Sequence, residues 1–185
     1  MIKNILFFGD SLTAGYGLTK QDEAFPGLIQ LKLNALNLPY RAINAGISGE
    51  ISEEGNYRID TFLKNRIDVF ALELGANDGL RGLPIPSLSS NLQSIINKVK
   101  KAWPNCQLLI IGMLIPPEMG EKRFRDFMDV YPKLAKENNA KLVPFLLKDV
   151  ATIPELNQED GVHPTAEGQK IMAETVWETL KTMLF

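Results

Sequence analysis

Five short apolar runs recur along the chain and constrain its fold more than any other feature. They cover Ile5–Phe8, Tyr40–Ala45, Val69–Leu74, Leu108–Met113 and Lys141–Phe145. Apolar runs of about four to eight residues, bounded by Gly, Pro or Asn, are typical of strands that are covered on both faces. The runs therefore predict five buried strands.

Between these runs, apolar residues recur at helical spacing. The stripes span residues 25–36, 88–99, 124–135 and 172–183. Pro132 is expected to kink the third helix, and Thr165 to cap the last one. The segment 51–66 predicts helix near its end, where Ile59, Phe62 and Leu63 are apolar.

Alternation of strands and helices predicts an α/β protein whose parallel sheet has helices on both faces. The specific prediction is a three-layer α/β/α sandwich with a five-stranded parallel sheet. The length of 185 residues fits a single domain over residues 1–185.

The composition excludes several classes of protein. The net charge is −2, so the chain carries no basic footprint for nucleic acid. Cys106 is the only cysteine, which excludes an internal disulfide and a cysteine-based zinc site. No apolar run approaches the roughly 18 residues of a membrane span. The N-terminus lacks a signal h-region, which favours a cytoplasmic location for the sequence as written. If a leader was removed, the expected location is periplasmic or secreted. We expect no cofactor, and a monomer is favoured.

Polar segments follow three of the predicted strands. They are Gly9-Asp10-Ser11-Leu12, the segment 44–50 and the segment 75–80. Ligands of an open parallel sheet bind beyond the carboxyl ends of its strands, where these segments meet. A loop with Asp160 and His163 precedes the last helix and can reach the same edge.

These segments carry the parts of an acyl-transfer site. Serine becomes a nucleophile when a base takes its proton, and His163 is the only histidine available as that base. Ser11 would attack an ester or thioester carbonyl, and Asp160 would orient the imidazole. The backbone amides of Ser11 and Gly49 and the side chain of Asn77 are candidate donors to the oxyanion.

Two apolar loops follow strand ends and should form the walls of the site. Their candidate substrate contacts are Leu80 and Arg81 in the first loop and Leu114 and Ile115 in the second. This content favours an apolar acyl chain over a sugar. Packing of the rim alone would explain the same residues.

Four blocks of the sequence resemble those of the SGNH (GDSL) hydrolases. They are Gly9-Asp10-Ser11-Leu12, Gly49, Gly75-Ala76-Asn77-Asp78 and Asp160-Gly161-Val162-His163, in the order of that family. Segments around residues 48–50, 73–82 and 131–137 resemble its thioesterase I/protease I/lysophospholipase L1 branch. The resemblance implies a flavodoxin-like SGNH fold, a serine esterase mechanism without metal, and small acyl esters or thioesters as substrates. Ala76 departs from the more usual Gly in the third block.

Alternatives remain at this stage. A carbohydrate O-deacetylase of the acetyl-xylan type shares the same machinery. A non-catalytic nucleotide-binding module is more remote, because the turn after the first strand lacks the phosphate-binding spacing and Asp10 would repel a phosphate. A metal hydrolase would have to recruit His163 with carboxylates. Asp10 is expected to bond backbone around its turn, and Asn44 and Asp78 to fix their own turns.

Overall fold

A parallel sheet of five strands organises the structure, a computed structural model that describes residues 2–185. The strands are β1 (Lys3–Gly9), β2 (Tyr40–Gly46), β3 (Val69–Glu73), β4 (Gln107–Ile111) and β5 (Lys141–Val143). Their order in the sheet is β2-β1-β3-β4-β5, and every pairing is parallel. The central strand β3 is buried along its whole length, as its continuous apolar sequence predicts.

Helices cover both faces of the sheet and confirm the predicted three-layer α/β/α sandwich. They are α1 (Ser11–Ala14), α2 (Phe25–Ala35), α3 (Ser52–Arg58), α4 (Ala76–Leu80), α5 (Ile85–Ala102), α6 (Glu121–Met128), α7 (Val130–Asn138) and α8 (Ala166–Leu184). α2 packs against α8, and α5 packs against α3 and α7. Within residues 2–185, no helix has both the length and the apolar character to cross a membrane.

Proline and a hydroxyl cap explain three element boundaries. The predicted third helix breaks at Asp129 into α6 and α7, because Pro132 has no N–H for the carbonyl of Met128. β5 ends at Val143, and the next residue is Pro144, which cannot donate to the ladder. The predicted cap of α8 is confirmed, since the Thr165 hydroxyl accepts from the Gly168 amide at 3.3 Å.

The segment 51–66 differs from the prediction. Its α-helix lies at the start, as α3, and a single 3₁₀ turn over Ile59–Thr61 follows. Glu54 accounts for the early start, because its carboxylate accepts from the Ile51 amide at 3.0 Å. Ile59 is fully buried as the segment turns towards β3.

The register of the sheet brings three loops together. Gly9 at the end of β1 pairs with Gly46 of β2 and with Glu73 of β3. The segments that follow these strands therefore leave the sheet at one level and on adjacent strands. This edge carries the polar groups of the candidate site.

Candidate active site

Ser11 is the first residue of α1 and follows β1 through a tight turn. The turn needs glycine at position 9, because a Cβ there would lie 2.3 Å from both the Glu73 carbonyl and the Thr13 hydroxyl. The Asp10 carboxylate accepts from the Leu12 amide at 3.0 Å, which confirms its predicted bond to backbone. The turn thus holds Ser11 at the carboxyl edge of the central strands.

A continuous chain of hydrogen bonds joins Ser11, His163 and Asp160. Nε2 of His163 lies 2.9 Å from the Ser11 hydroxyl, and Nδ1 lies 2.7 Å from Oδ2 of Asp160. A carboxylate only accepts, so the bond to Asp160 places the imidazole proton on Nδ1. Nε2 is then the acceptor for the Ser11 hydroxyl.

Asp160 is held by its own loop. Its Oδ1 accepts from the amides of Val162 and His163, each at 2.9 Å. The His163 amide, then the imidazole and the Val162 amide, lower the pKa of Asp160 to about 2. Asp160 is therefore ionised around neutral pH, where exposure of 41% of its side chain also favours the charged form.

Two of the predicted oxyanion donors lie on adjacent segments, Gly49 on the loop after β2 and Asn77 in α4. Gly49 has φ +78°, a conformation that favours glycine, and its carbonyl accepts from Nη2 of Arg81 at 2.7 Å. Nδ2 of Asn77 donates to Oδ2 of Asp10 and to the Glu50 carbonyl, both at 3.1 Å. Because both amide hydrogens already have acceptors, donation to an oxyanion requires Asn77 to share or release one of them.

Ion pairs and hydrogen bonds that the sequence did not reveal support these loops. Arg58 makes two contacts of 2.5 Å to the Glu50 carboxylate, which is 4% exposed. Asp78 accepts from the Ser52 amide and hydroxyl at 2.8 and 2.5 Å. Asp78 therefore fixes α3 rather than its own turn, which corrects the prediction. No local spacing signals either pair.

Asn44 has the predicted role and a further one. Its Oδ1 accepts from the Gly46 amide at 3.0 Å, two residues on, so it does fix its own turn. Its Nδ2 also donates to the Thr13 carbonyl at 2.8 Å and ties β2 to α1.

Two carboxyl groups lie buried close to Ser11. Burial raises the pKa of Asp10 to about 6, and it raises the pKa of Glu73 well above its usual value. Oε2 of Glu73 accepts from the Thr13 hydroxyl at 2.7 Å and from the Asp10 amide at 3.3 Å. Its Oε1 is buried without a hydrogen-bond partner. A protonated Glu73 is favoured there, because burial penalises the charged form.

An apolar cavity of about 300 Å³ opens beside Ser11 and His163. Apolar residues that line it are Leu12, Ala76, Leu80, Met113, Leu114, Pro116, Leu147, Ala151 and Val162. The sequence analysis did not anticipate Leu147 and Ala151, because they follow a strand that carries no polar motif.

The four predicted substrate contacts divide into two groups. Leu80 and Leu114 line the cavity. Ile115 is instead 3% exposed and packs against Gly79, below the cavity wall. Arg81 lies outside the cavity and bonds the Gly49 carbonyl, in a separate surface depression with Ile47. The structure thus places Ile115 in the core, and it places the Arg81 side chain against the loop that contains Gly49.

The side chains at this site are those of proton transfer and acyl transfer. Within residues 2–185, no three His, Cys, Asp or Glu side chains cluster in a way that would hold a metal ion. A three-layer α/β/α fold that carries a hydroxyl, an imidazole and a carboxylate at one sheet edge is characteristic of acyl hydrolases.

The family is shown by direct comparison. The GDSL-like lipase/acylhydrolase family matches residues 7–171, and the chain belongs to this family. The family is that of the SGNH (GDSL) hydrolases which the sequence resembles, so the chain is a carboxylic ester hydrolase.

Relatives of known activity and structure agree with this assignment. An arylesterase of Vibrio mimicus is 38% identical over 96% of this chain and 88% of its own length. Thioesterase 1/protease 1/lysophospholipase L1 of Escherichia coli is 34% identical over 97% of this chain and 84% of its own. The crystal structure of the psychrotrophic esterase EstA from Pseudoalteromonas sp., inhibited by monoethylphosphonate, has a TM-score of 0.91 and 33% identity. It covers 98% of both chains.

Proposed function

We propose that this chain hydrolyses esters and thioesters of apolar carboxylic acids through a covalent acyl-enzyme at Ser11. In this mechanism His163 takes the Ser11 proton and returns it to the leaving group, while Asp160 stabilises the imidazolium. The observation that carries the proposal is the chain of hydrogen bonds from Asp160 through His163 to Ser11, beside an apolar cavity.

The oxyanion of the tetrahedral intermediate needs donors that are already in place. The Ser11 amide is the first of α1, and the first amides of a helix have no acceptor inside it. The Gly49 amide and the Asn77 side chain complete the proposed set. Arg81 holds Gly49 through its carbonyl, and Asp10 holds Asn77.

The cavity supports the choice of substrate. Its lining is mostly apolar, which favours an acyl chain over a sugar ring, and its volume lies at the lower end of the usual range of about 300–1,000 Å³. Each methylene buried there is worth about 0.8 kcal/mol, or roughly fourfold in affinity. We expect kcat/KM on p-nitrophenyl esters to rise with acyl length until the cavity is filled, and then to level off. Activity confined to acetylated xylan would favour an O-deacetylase instead.

Labelling with a fluorophosphonate probe tests the nucleophile. The EstA structure is described as inhibited by monoethylphosphonate, which makes a phosphonate reagent a suitable probe here. Ser11→Ala should abolish labelling and turnover while circular dichroism stays unchanged. Ser48→Ala is the matched control, since Ser48 is a second hydroxyl at the same edge, and it should be labelled normally. Labelling that persists in Ser11→Ala would rule out Ser11.

The proposed catalytic groups all come from one chain, so a monomer suffices for activity. We therefore propose that the enzyme acts as a monomer on a small ester substrate. Light scattering after gel filtration, with activity measured across the peak, tests this. A dimer that loses activity on dilution would contradict it.

A further inference from the structure

The ring of Tyr16 lies against the imidazole of His163 in a tilted arrangement. The two ring centroids lie 4.5 Å apart, with 43° between the ring planes. Tyr16 is 51% exposed and is not among the residues that line the cavity. Its position is therefore explained neither by burial in the core nor by the walls of the acyl site.

The backbone of Tyr16 is fixed relative to the nucleophile. Its amide donates to the Ser11 carbonyl at 3.0 Å, just beyond the end of α1. The ring that contacts the proposed base thus lies five positions along the chain from the proposed nucleophile. The contact joins the nucleophile turn directly to the loop of His163.

Gln158 also links the segment of Tyr16 to the loop of His163. Its Nε2 donates to the Tyr16 carbonyl at 2.7 Å and to the Pro164 carbonyl at 3.0 Å. Gly17 leaves the space for this bridge, because a Cβ there would lie 2.0 Å from Oε1 of Gln158. The Gln158 amide also donates to the His163 carbonyl at 2.7 Å.

The imidazole needs such support because its loop is open to solvent. Val162 is 50% exposed, and a Cβ at Gly161 would meet nothing within 4 Å. Asp160 and Ser11 hold the two nitrogen atoms at the edge of the ring, but neither of them covers a face. An aromatic ring also attracts a cation, and His163 becomes an imidazolium cation when it takes the Ser11 proton.

We propose that Tyr16 is a positioning residue for His163, whose ring keeps the imidazole aligned between Asp160 and Ser11 and stabilises the transient imidazolium. The proposal rests on the proposed function, in which His163 is the base. In this role Tyr16 acts through His163 and not on the substrate directly. It acts on the rate of proton transfer and not on substrate affinity.

Kinetics of Tyr16→Ala and Tyr16→Phe on a p-nitrophenyl ester test the role. We expect Tyr16→Ala to lower kcat roughly tenfold, or about 1.4 kcal/mol, with KM changed less than about twofold. Tyr16→Phe retains the ring face and should stay within about twofold of the parent kcat. Tyr57→Ala is the matched control, because Tyr57 is a 73% exposed tyrosine on α3, and it should have no effect.

The single imidazole gives a second readout that does not depend on turnover. In NMR spectra of the Ser11→Ala variant, adding Tyr16→Ala should shift and broaden the His163 ring resonances, whereas adding Tyr16→Phe should leave them sharp. Tyr16→Leu replaces the alanine variant if the latter does not fold.

An unchanged kcat in Tyr16→Ala, a change confined to KM, or unshifted ring resonances would each overturn the proposal. Failure of the proposed function looks different. In that case fluorophosphonate labelling persists in Ser11→Ala, while the NMR contact between the two rings is still observed.

Discussion

The two sides of the site are held in different ways. On the nucleophile side, Asp10, Glu50 and Asp78 are each at most 4% exposed, and each bonds to a segment distant in sequence or to a neighbouring loop. On the base side, Asp160 is 41% exposed and bonds only within its own turn. The buried side is thus fixed by contacts beneath the sheet edge, and the exposed side by its own turn and by the contacts of Gln158 and His163 with the segment of Ser11 and Tyr16.

This difference matches two different requirements of catalysis. An oxyanion site must be rigid before the reaction, because its donors stabilise charge that exists only in the transition state. A base that carries a proton between two oxygen atoms needs correct orientation but not deep burial. We therefore expect mutations near Asp160 and His163 to lower kcat by changing the tautomer or alignment of the imidazole. Mutations on the buried side should lower the free energy of unfolding as well as kcat.

The largest effect is expected at Asp160. Asp160→Asn keeps an acceptor for the two backbone amides but points a donor at Nδ1, which puts the proton on Nε2 and leaves no acceptor for Ser11. We expect kcat to fall about 10⁴-fold with little loss of unfolding free energy, measured by steady-state kinetics and urea titration. A loss below tenfold would show that the local turn alone orients the ring.

Asn77 tests the buried side by removing one donor. Asn77→Ala should lower kcat by roughly 10²–10³ with a smaller change in KM, because the donor acts mainly in the transition state. The substitution also removes the hydrogen bonds that Asn77 donates to Asp10 and to the Glu50 carbonyl. The free energy of unfolding should therefore fall somewhat, unlike in Asp160→Asn. An effect on KM alone would assign Asn77 to substrate binding.

The ion pair between Arg58 and Glu50 is expected to matter for stability. Arg58→Met keeps apolar contact with Phe8, which the guanidinium now covers at 4.0 Å, but it leaves Glu50 buried and unpaired. We expect the unfolding free energy to fall by about 3 kcal/mol in urea titrations. Lys170→Met breaks an exposed pair with Glu167 and should cost less than about 1 kcal/mol. Equal losses would mean that burial does not distinguish the two regions.

The smallest effect on activity is expected at the buried carboxyl of Glu73, which tests how stability depends on pH. Its pKa is raised in the folded state, so its contribution to stability is complete below its unfolded value and is lost as pH rises. Glu73→Gln removes this dependence. Its stability relative to the parent should therefore increase with pH, by at most about 1.4 kcal/mol per pH unit, while activity is kept. Urea titrations of both proteins from pH 5 to 9 measure this change. If the difference in unfolding free energy between Glu73→Gln and the parent does not depend on pH, Glu73 is not neutral in the folded protein.

Local patterns in the sequence were sufficient for the architecture and for one part of the site. The apolar runs predicted all five strands, and the alternation with helical stripes predicted the layers. Asp160 and His163 are three residues apart, so one turn brings them together without help from the rest of the fold. Thr165 likewise predicted the start of α8, and Pro132 predicted a kink where the structure has a break between α6 and α7, because such signals act within a few residues.

Contacts between distant residues depended on strand order and register. Ser11 and His163 are 152 positions apart, and only the folded sheet brings them to 2.9 Å. The same holds for Arg81, which was expected against substrate and instead bonds Gly49, and for Ile115, which turns into the core. The sequence alone determined which chemical groups this protein has and at which sheet edge they gather. The tertiary structure decided which of them touch, because side-chain neighbours are set by packing between elements and not by spacing along the chain.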